Sequence, residues 1–233
     1  VIVPRQSRDD RAGQIYHVLN RGNQRQEIFH KPDDYGAFLR VLSEGLQKYP
    51  VEIFSFSLMP NHWHFVLRPT KDGQMGQLFR WVTATHTLRY RGHYHTRGNG
   101  HLYQGRFKSF PLADDEHFYI VCRYVERNPL RAGLVGSSKD WPHGSLYRWN
   151  LSTEPEPAVL TSWPIRRLPR WNERVDSALT AAELKAVRTS VDRSRPFGSQ
   201  EWTEKVAEKH GMWHTIRPAG RPRKRPKPNA TQK

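Results

Sequence analysis

VEIFSFSLMPNHWHFVLR, residues 51–68, decides how the chain folds. Val51 to Leu58 reads as a strand, Met59-Pro60-Asn61 as a turn, and His62 to Arg68 as the returning strand. Side chains alternate between the two faces of a strand. His62, His64 and Val66 therefore share one face, and Trp63, Phe65 and Leu67 share the other. The apolar set is expected to pack against helices, which leaves the two imidazoles together on the opposite face.

The flanking segments supply the remaining elements. Ile15, Val18 and Leu19 suggest a first strand, closed by the Arg21-Gly22-Asn23 turn. Pro32 opens a helix in which Tyr35, Phe38, Leu39, Leu42 and Leu46 recur at helical spacing, and it stops before Pro50. A second helix is expected from Met75 to about Tyr90, with Leu78, Phe79, Val82 and Leu88 buried. RGHYHTRGNG reads as a basic, Gly-rich loop and LYQGRFKSFPL as an extended segment. Asp114, Asp115 and Glu116 open a third helix, favourable for its dipole, which runs to Asn128 before Pro129 ends it. The order strand, helix, strand, strand, helix, strand predicts an α+β fold: a ferredoxin-like antiparallel sheet with helices on one face and the third helix added to it. This unit covers residues 1–150. Residues 151–179 read as a linker and 180–216 as a small helical extension, begun by the Thr180-Ala181-Ala182-Glu183 capping box. Residues 217–233 read as a disordered basic tail.

Charge narrows the partners. Among 233 residues, 38 Lys and Arg face 22 Asp and Glu, a formal net charge of +16 that favours a polyanionic partner. A membrane is not expected, because no apolar run approaches the ~18 residues a span requires. VIVPRQSRDD lacks the apolar core of a signal peptide, so a cytoplasmic, nucleoid-associated protein is expected. With Cys122 as the one cysteine, a disulfide framework and a multi-Cys zinc site are excluded.

Two clusters carry chemistry. His62 and His64 stand close enough to hold one divalent ion through neutral imidazole; the alternative is a pair of surface histidines on a half-buried strand. His93 and His95 repeat the spacing, but no flanking strand holds their geometry, and they are rejected as the metal pair. Tyr124 and Asn128 lie one helical turn apart on one face. They can present a phenolic oxygen and an amide ligand to a metal-bound phosphate, or else Tyr124 packs in the core and Asn128 caps the helix. Tyr119, the rival on the same helix, has Arg123 and no ligand at that spacing. Gln104, Arg106 and Lys108 alternate with Gly105 and Phe107, mixing phosphate-binding groups with a base-stacking ring. Arg21 and Arg25 follow the first strand, and Arg123, Arg127 and Arg131 flank the tyrosine. Each is a candidate DNA contact or a solvated surface charge. Gly220-Arg221-Pro222-Arg223 has the form of a minor-groove hook, with Arg221 and Arg223 as its contacts, or belongs to a nonspecific basic tail.

A His-hydrophobic-His strand followed by a Tyr-x-x-x-Asn helix resembles the single-tyrosine HUH transposases of bacterial insertion sequences. The REP-associated tyrosine transposases are closer still. The resemblance rests on YHVLNRGNQRQEIF, SLMPNHWHFVL, GHLYQGRFKSF, RYVERNPLRAGLV and RPFGSQEW, in this order. It implies a catalytic domain over residues 1–150 that cleaves single-stranded DNA beside palindromic (REP-type) hairpins. It carries the metal ligands to His62 and His64 and the nucleophile to Tyr124, with Mg²⁺ or Mn²⁺ as cofactor. Asn128 stands where insertion-sequence relatives have Gln, as third ligand. A monomer is the working expectation and a dimer the alternative. Two rivals remain. One is a noncatalytic binder of structured DNA or RNA that keeps the fold; the other is a replication initiator or relaxase, although no P-loop pattern is present.

Overall fold

In a computed structural model, residues 9–217 are described. Arg221 and Arg223, and the reading of the basic tail beyond residue 217, lie outside the described residues. Four strands, β1 (Ile15–Arg21), β2 (Val51–Met59), β3 (His62–Pro69) and β4 (Lys108–Leu112), form one antiparallel sheet in the order β2-β3-β1-β4. Helix α1 (Pro32–Lys48) connects β1 to β2, and α2 (Gln74–His93) connects β3 to β4. That connectivity is the ferredoxin-like one.

Strand alternation divides the core in two. On one face Tyr16, Val18, Trp63, Phe65 and Leu67 meet Phe38 and Leu42 of α1 and Phe79 and Val82 of α2. The two helices approach closely at Gly45, where an added Cβ would stand 2.9 Å from Leu78 Cδ1. On the other face Ile15, Val66, Phe110 and Leu112 are covered by Phe118, Val121, Cys122 and Val125 of α3 (Glu116–Glu126). Asp115 caps α3 by accepting from the His117 amide. The helix on the histidine face is therefore the one that carries Tyr124.

Four expectations need correction. The second helix runs three residues past Tyr90, and Leu88 is 69% exposed rather than buried, because it lies off the face on which Leu78, Val82, His86 and Tyr90 recur. The extended segment contracts to Lys108–Leu112; residues 104–107 form a loop beside the end of β1. The third helix stops at Glu126, and a further turn, α4 (Asn128–Arg131), follows with Pro129 in its first turn, where a missing N–H costs nothing. Residues 151–179, read as a linker, contain a helix and lie along the sheet edge and α3. Past α5 (Ser145–Trp149), the Thr161 amide donates to Ile53 O and Trp163 Nε1 to Phe54 O, and α6 (Trp171–Asp176) packs on α3. These bonds, with Leu58 N to His143 O and Trp141 Nε1 to Leu58 O, cover the outer edge of β2.

The remaining helices are α7 (Ala181–Arg193), α8 (Gln200–Lys209) and α9 (Trp213–Ile216). Thr180 and Glu183 form the expected capping box on α7. Phe197 exchanges backbone hydrogen bonds with Ala113 and Pro111, and so closes the β4 edge. Among the described residues no helix is long and apolar enough to cross a membrane.

Candidate active site

His62 and His64 project from β3 beneath α3, as strand alternation requires, with ring centroids 5.0 Å apart. The register of the central strands places Arg21 opposite His62 and Leu19 opposite His64. Tyr124 comes down from α3, its ring centroid 5.9 Å from that of His64. Asn128, from α4, reaches His62 with Nδ2 3.3 Å from Nε2. The His pair, the tyrosine and the amide, 66 residues apart in sequence between His62 and Asn128, thus converge.

A chain of hydrogen bonds sets the protonation of His62. Asn61 Nδ2 donates to Arg25 O at 3.1 Å, so its Oδ1 faces the imidazole and accepts from His62 Nδ1–H at 2.6 Å. The lone pair of His62 is therefore on Nε2. At the far end, the Arg131 guanidinium only donates, and its Nη2 lies 2.6 Å from Asn128 Oδ1. Asn128 accordingly turns its nitrogen, not its oxygen, toward His62. Arg131 also lies over the Tyr124 ring, 4.7 Å from its centroid.

Both imidazoles are neutral near neutral pH. Burial, then the charges of Arg21 and Arg131, push His62 down to about 3. Burial holds His64 well below the ordinary histidine value, reinforced by His62 and His17. A neutral imidazole can ligate a metal through such a lone pair, which on His62 Nε2 faces Asn128 Nδ2 in this structure. Among the described residues, no group of three or more His, Cys, Asp and Glu side chains is placed to hold a metal ion. The donor set offered here is two imidazoles and, if its amide turns over, Asn128. That set fits a divalent cation in ligand chemistry.

Two members of the cluster were not foreseen from sequence. Asn61 reads in sequence only as a turn residue. His17 of β1 is fully buried, and its Nε2 lies 2.9 Å from His64 Nδ1. Its position, alternating with Tyr16 and Val18 of the opposite core, was the available signal.

The expected DNA contacts separate into groups. Arg21 and Arg131 flank the His pair, and Arg25 is exposed beside it. Gln104, Arg106 and Lys108 are exposed along the loop and the start of β4, but Phe107 is only 5% exposed and packs 5.3 Å from the Phe79 ring. The base-stacking role expected of Phe107 is not available to a core ring. Arg123 donates to the carbonyls of Arg174, Ser177 and Ala178, and Arg127 to that of Asp176. Both fasten the segment after residue 150 to the tyrosine helix. His93 ends α2 beside Lys31, 3.0 Å from its Nζ, and His95 follows in a left-handed turn at φ 53°.

Glu126, two residues from Tyr124, anchors this assembly. Its carboxylate is 2% exposed and accepts from Ser55 and Ser145 through Oε1 and from Trp171 Nε1 through Oε2. Burial raises its pKa despite those donors. Each donor stranded by its removal costs roughly 1–3 kcal/mol, so Glu126→Leu is expected to lower stability by about 3 kcal/mol or more. Glu126→Gln, whose amide oxygen can still serve Trp171 while the serine hydroxyls accept from its nitrogen, should cost less. Urea unfolding of the two variants checks the order; equal losses would contradict it.

The chain is similar to known proteins in sequence and in fold. Residues 11–128, about half of the chain, match the family model described as "Transposase IS200 like". The chain belongs to that family of tyrosine transposases. A protein of Haemophilus influenzae provisionally described as a REP-associated tyrosine transposase is 24% identical over 127 residues, which cover 50% of this chain and 70% of the relative. The REP-associated tyrosine transposase of Escherichia coli K12 is 21% identical over 139 residues, covering 59% of this chain and 79% of the relative. Among solved structures, a REP-associated tyrosine transposase bound to a REP hairpin superposes with a TM-score of 0.52 at 16% identity, covering 71% of this chain and 99% of that one. At that identity the likeness concerns the fold. Family and fold together support a nucleic-acid-binding function of the REP-associated transposase kind.

Proposed function

We propose that this protein is a divalent-metal-dependent endonuclease and strand transferase that cuts single-stranded DNA beside palindromic hairpins through a covalent phosphotyrosine. The observation that supports the reading is the edge-on contact of the Tyr124 ring with the His64 imidazole, centroids 5.9 Å apart, with the His62 ring 5.0 Å beyond His64. A Mg²⁺ or Mn²⁺ ion held by His62, His64 and Asn128 would supply Lewis-acid polarisation of the scissile phosphate. Asn128 joins that set by turning its oxygen toward His62, which requires Arg131 to release it. A DNA phosphate is the natural competitor for that guanidinium. Tyr124 Oη attacks phosphorus, the P–O3′ bond breaks, a 3′-hydroxyl leaves, and the 5′ end stays on the tyrosine. Attack by another 3′-hydroxyl reverses the linkage without external energy.

Hairpin-bearing DNA is the substrate of choice because the hairpin-bound relative shares the fold and because the basic surface leads to the His pair. A groove of about 760 Å³ runs between α2 and residues 100–107, lined by Arg80, Thr83, His101, Gln104 and Arg106. It shares Gln104, Gly105 and Arg106 with a cleft of about 280 Å³ that reaches Asn20 and Arg21, and Arg21 pairs in register with His62. Arg80→Ala and Arg106→Ala, both at exposed positions, are expected to weaken binding of a hairpin with a single-stranded flank. Each should reduce the salt slope by about 1. An unchanged slope in both would remove the groove from the DNA path. Incubating the protein with labelled hairpin-flanked DNA and Mg²⁺ or Mn²⁺ tests the activity. Binding with no cleavage on any palindromic substrate would instead identify a noncatalytic binder.

A further inference from the structure

The only hydrogen bond made by the His17 side chain among the described residues is to His64. His17 sits in the centre of the sheet, fully buried, with its ring 4.8 Å from that of Phe110. Its Nε2 is 2.9 Å from His64 Nδ1, and its Nδ1 is buried with no hydrogen-bond partner. Filling this position is not a reason for an imidazole, since an apolar ring would do so without stranding a polar nitrogen. His17 is not a third ligand either. Its near nitrogen is spent on the far nitrogen of His64, and no three-histidine cluster able to hold a metal exists among the described residues.

We infer that His17 is the positioning residue of the metal site: it orients the His64 ring and holds the tautomer that leaves His64 Nε2 free to ligate. This rests on the proposed metal-binding role of His62 and His64. The proton count follows from the two rings. A neutral imidazole carries one proton, so a His64 that ligates through Nε2 must carry its proton on Nδ1 and donate it to His17 Nε2. His17 then keeps its own proton on Nδ1. In the opposite arrangement, His17 Nε2–H donates to His64 Nδ1, His64 is protonated on Nε2, and no lone pair faces a metal. His62 needs no such partner because Asn61 Oδ1, which only accepts, already holds its proton on Nδ1. The two ligands are thus oriented by two different second residues, an amide from the β2–β3 turn and an imidazole from β1.

The test uses the full chain and Mn²⁺ alone, titrated and followed by the EPR signal of free Mn²⁺, so that no turnover is needed. Loss of an outer partner of a metal-bound histidine typically costs about 10–100-fold in affinity. His17→Phe is expected to weaken Mn²⁺ binding by about that factor. His17→Gln, whose amide oxygen accepts the same bond from His64 Nδ1–H, should recover most of it. Wild-type protein with ¹⁵N-labelled histidine and Mg²⁺ provides a readout independent of any variant: His64 should be protonated at Nδ1. Mn²⁺ affinity unchanged in His17→Phe but lost in His62→Ala would overturn the inference and leave the metal site standing, as would a metal-loaded His64 protonated at Nε2. Mn²⁺ binding indifferent to His62→Ala would overturn the metal site itself, and this inference with it.

Discussion

Replacing His62 with Ala is expected to abolish metal-dependent cleavage while leaving hairpin binding intact. His62 is the cleaner of the two histidines to change, because it is only partly buried whereas His64 is 3% exposed in the sheet. His64→Ala should have the same catalytic effect with an added loss of stability, since it empties a buried site and strands the His17 nitrogen that now meets it. His93→Ala and His95→Ala should retain full metal-dependent activity, because both stand at the end of α2, which packs on the sheet face opposite Tyr124. The site should also resist mild acid. An ordinary histidine loses its lone pair to a proton as pH falls through about 6.5. The depressed value of His62, about 3, keeps the imidazole neutral well below that range. Mn²⁺ affinity measured between neutral pH and moderate acid should therefore be nearly flat. A steep loss centred on the usual histidine range would mean that the imidazoles are more exposed in solution than the geometry implies. Full cleavage by His62→Ala would remove the metal pair from the mechanism.

The sheet and the pairing of His62 with His64 were legible because alternation is a local property. Seven residues from His62 to Arg68 decide which side chains share a face, and the core confirms the division at Trp63, Phe65 and Leu67. The one-turn spacing of Tyr124 and Asn128 was legible for the same reason, although the helix is interrupted between them. What sequence did not disclose depends on register and on long-range packing. His17 meets His64 only because β1 pairs with β3 in one particular register, across 47 residues. Asn61 does more than turn the chain, but its role depends on a carbonyl of Arg25, in a segment with left-handed backbone at Gln24 and Arg25. Phe107 cannot share a surface with Arg106 and Lys108, because alternation turns its ring to the other side, into the core beside Phe79. Residues 151–179 lack helical periodicity and read as a linker, yet Trp163 and Trp171 each pin the segment by an indole N–H. Arg123 and Arg127 looked like phosphate ligands for want of any sign that backbone carbonyls from that segment would take them.

The second large effect is at Tyr124. Phenylalanine there keeps the ring, its edge contact with His64 and its stacking under Arg131. It removes only the oxygen. Tyr124→Phe should therefore fold as wild type, bind hairpin DNA and Mn²⁺ as wild type, and form no covalent product. Tyr119→Phe should still form one: the Tyr119 hydroxyl donates to Arg166 O, in the segment packed on the outside of α3, and is committed to structure. The contrast between these two tyrosines on one helix separates loss of a nucleophile from general damage to α3.

The most direct measurement is therefore the site of attachment. Wild-type protein is incubated with labelled single-stranded hairpin DNA and Mg²⁺ or Mn²⁺, denatured, digested, and the nucleotide-bearing peptide is sequenced by mass spectrometry. The account predicts one modified residue, Tyr124, carrying the 5′ end, with a free 3′-hydroxyl on the released fragment and no adduct in Tyr124→Phe. Metal-dependent cleavage with no label on protein would contradict it, because water would then be the nucleophile and the tyrosine above the histidine pair would have another purpose.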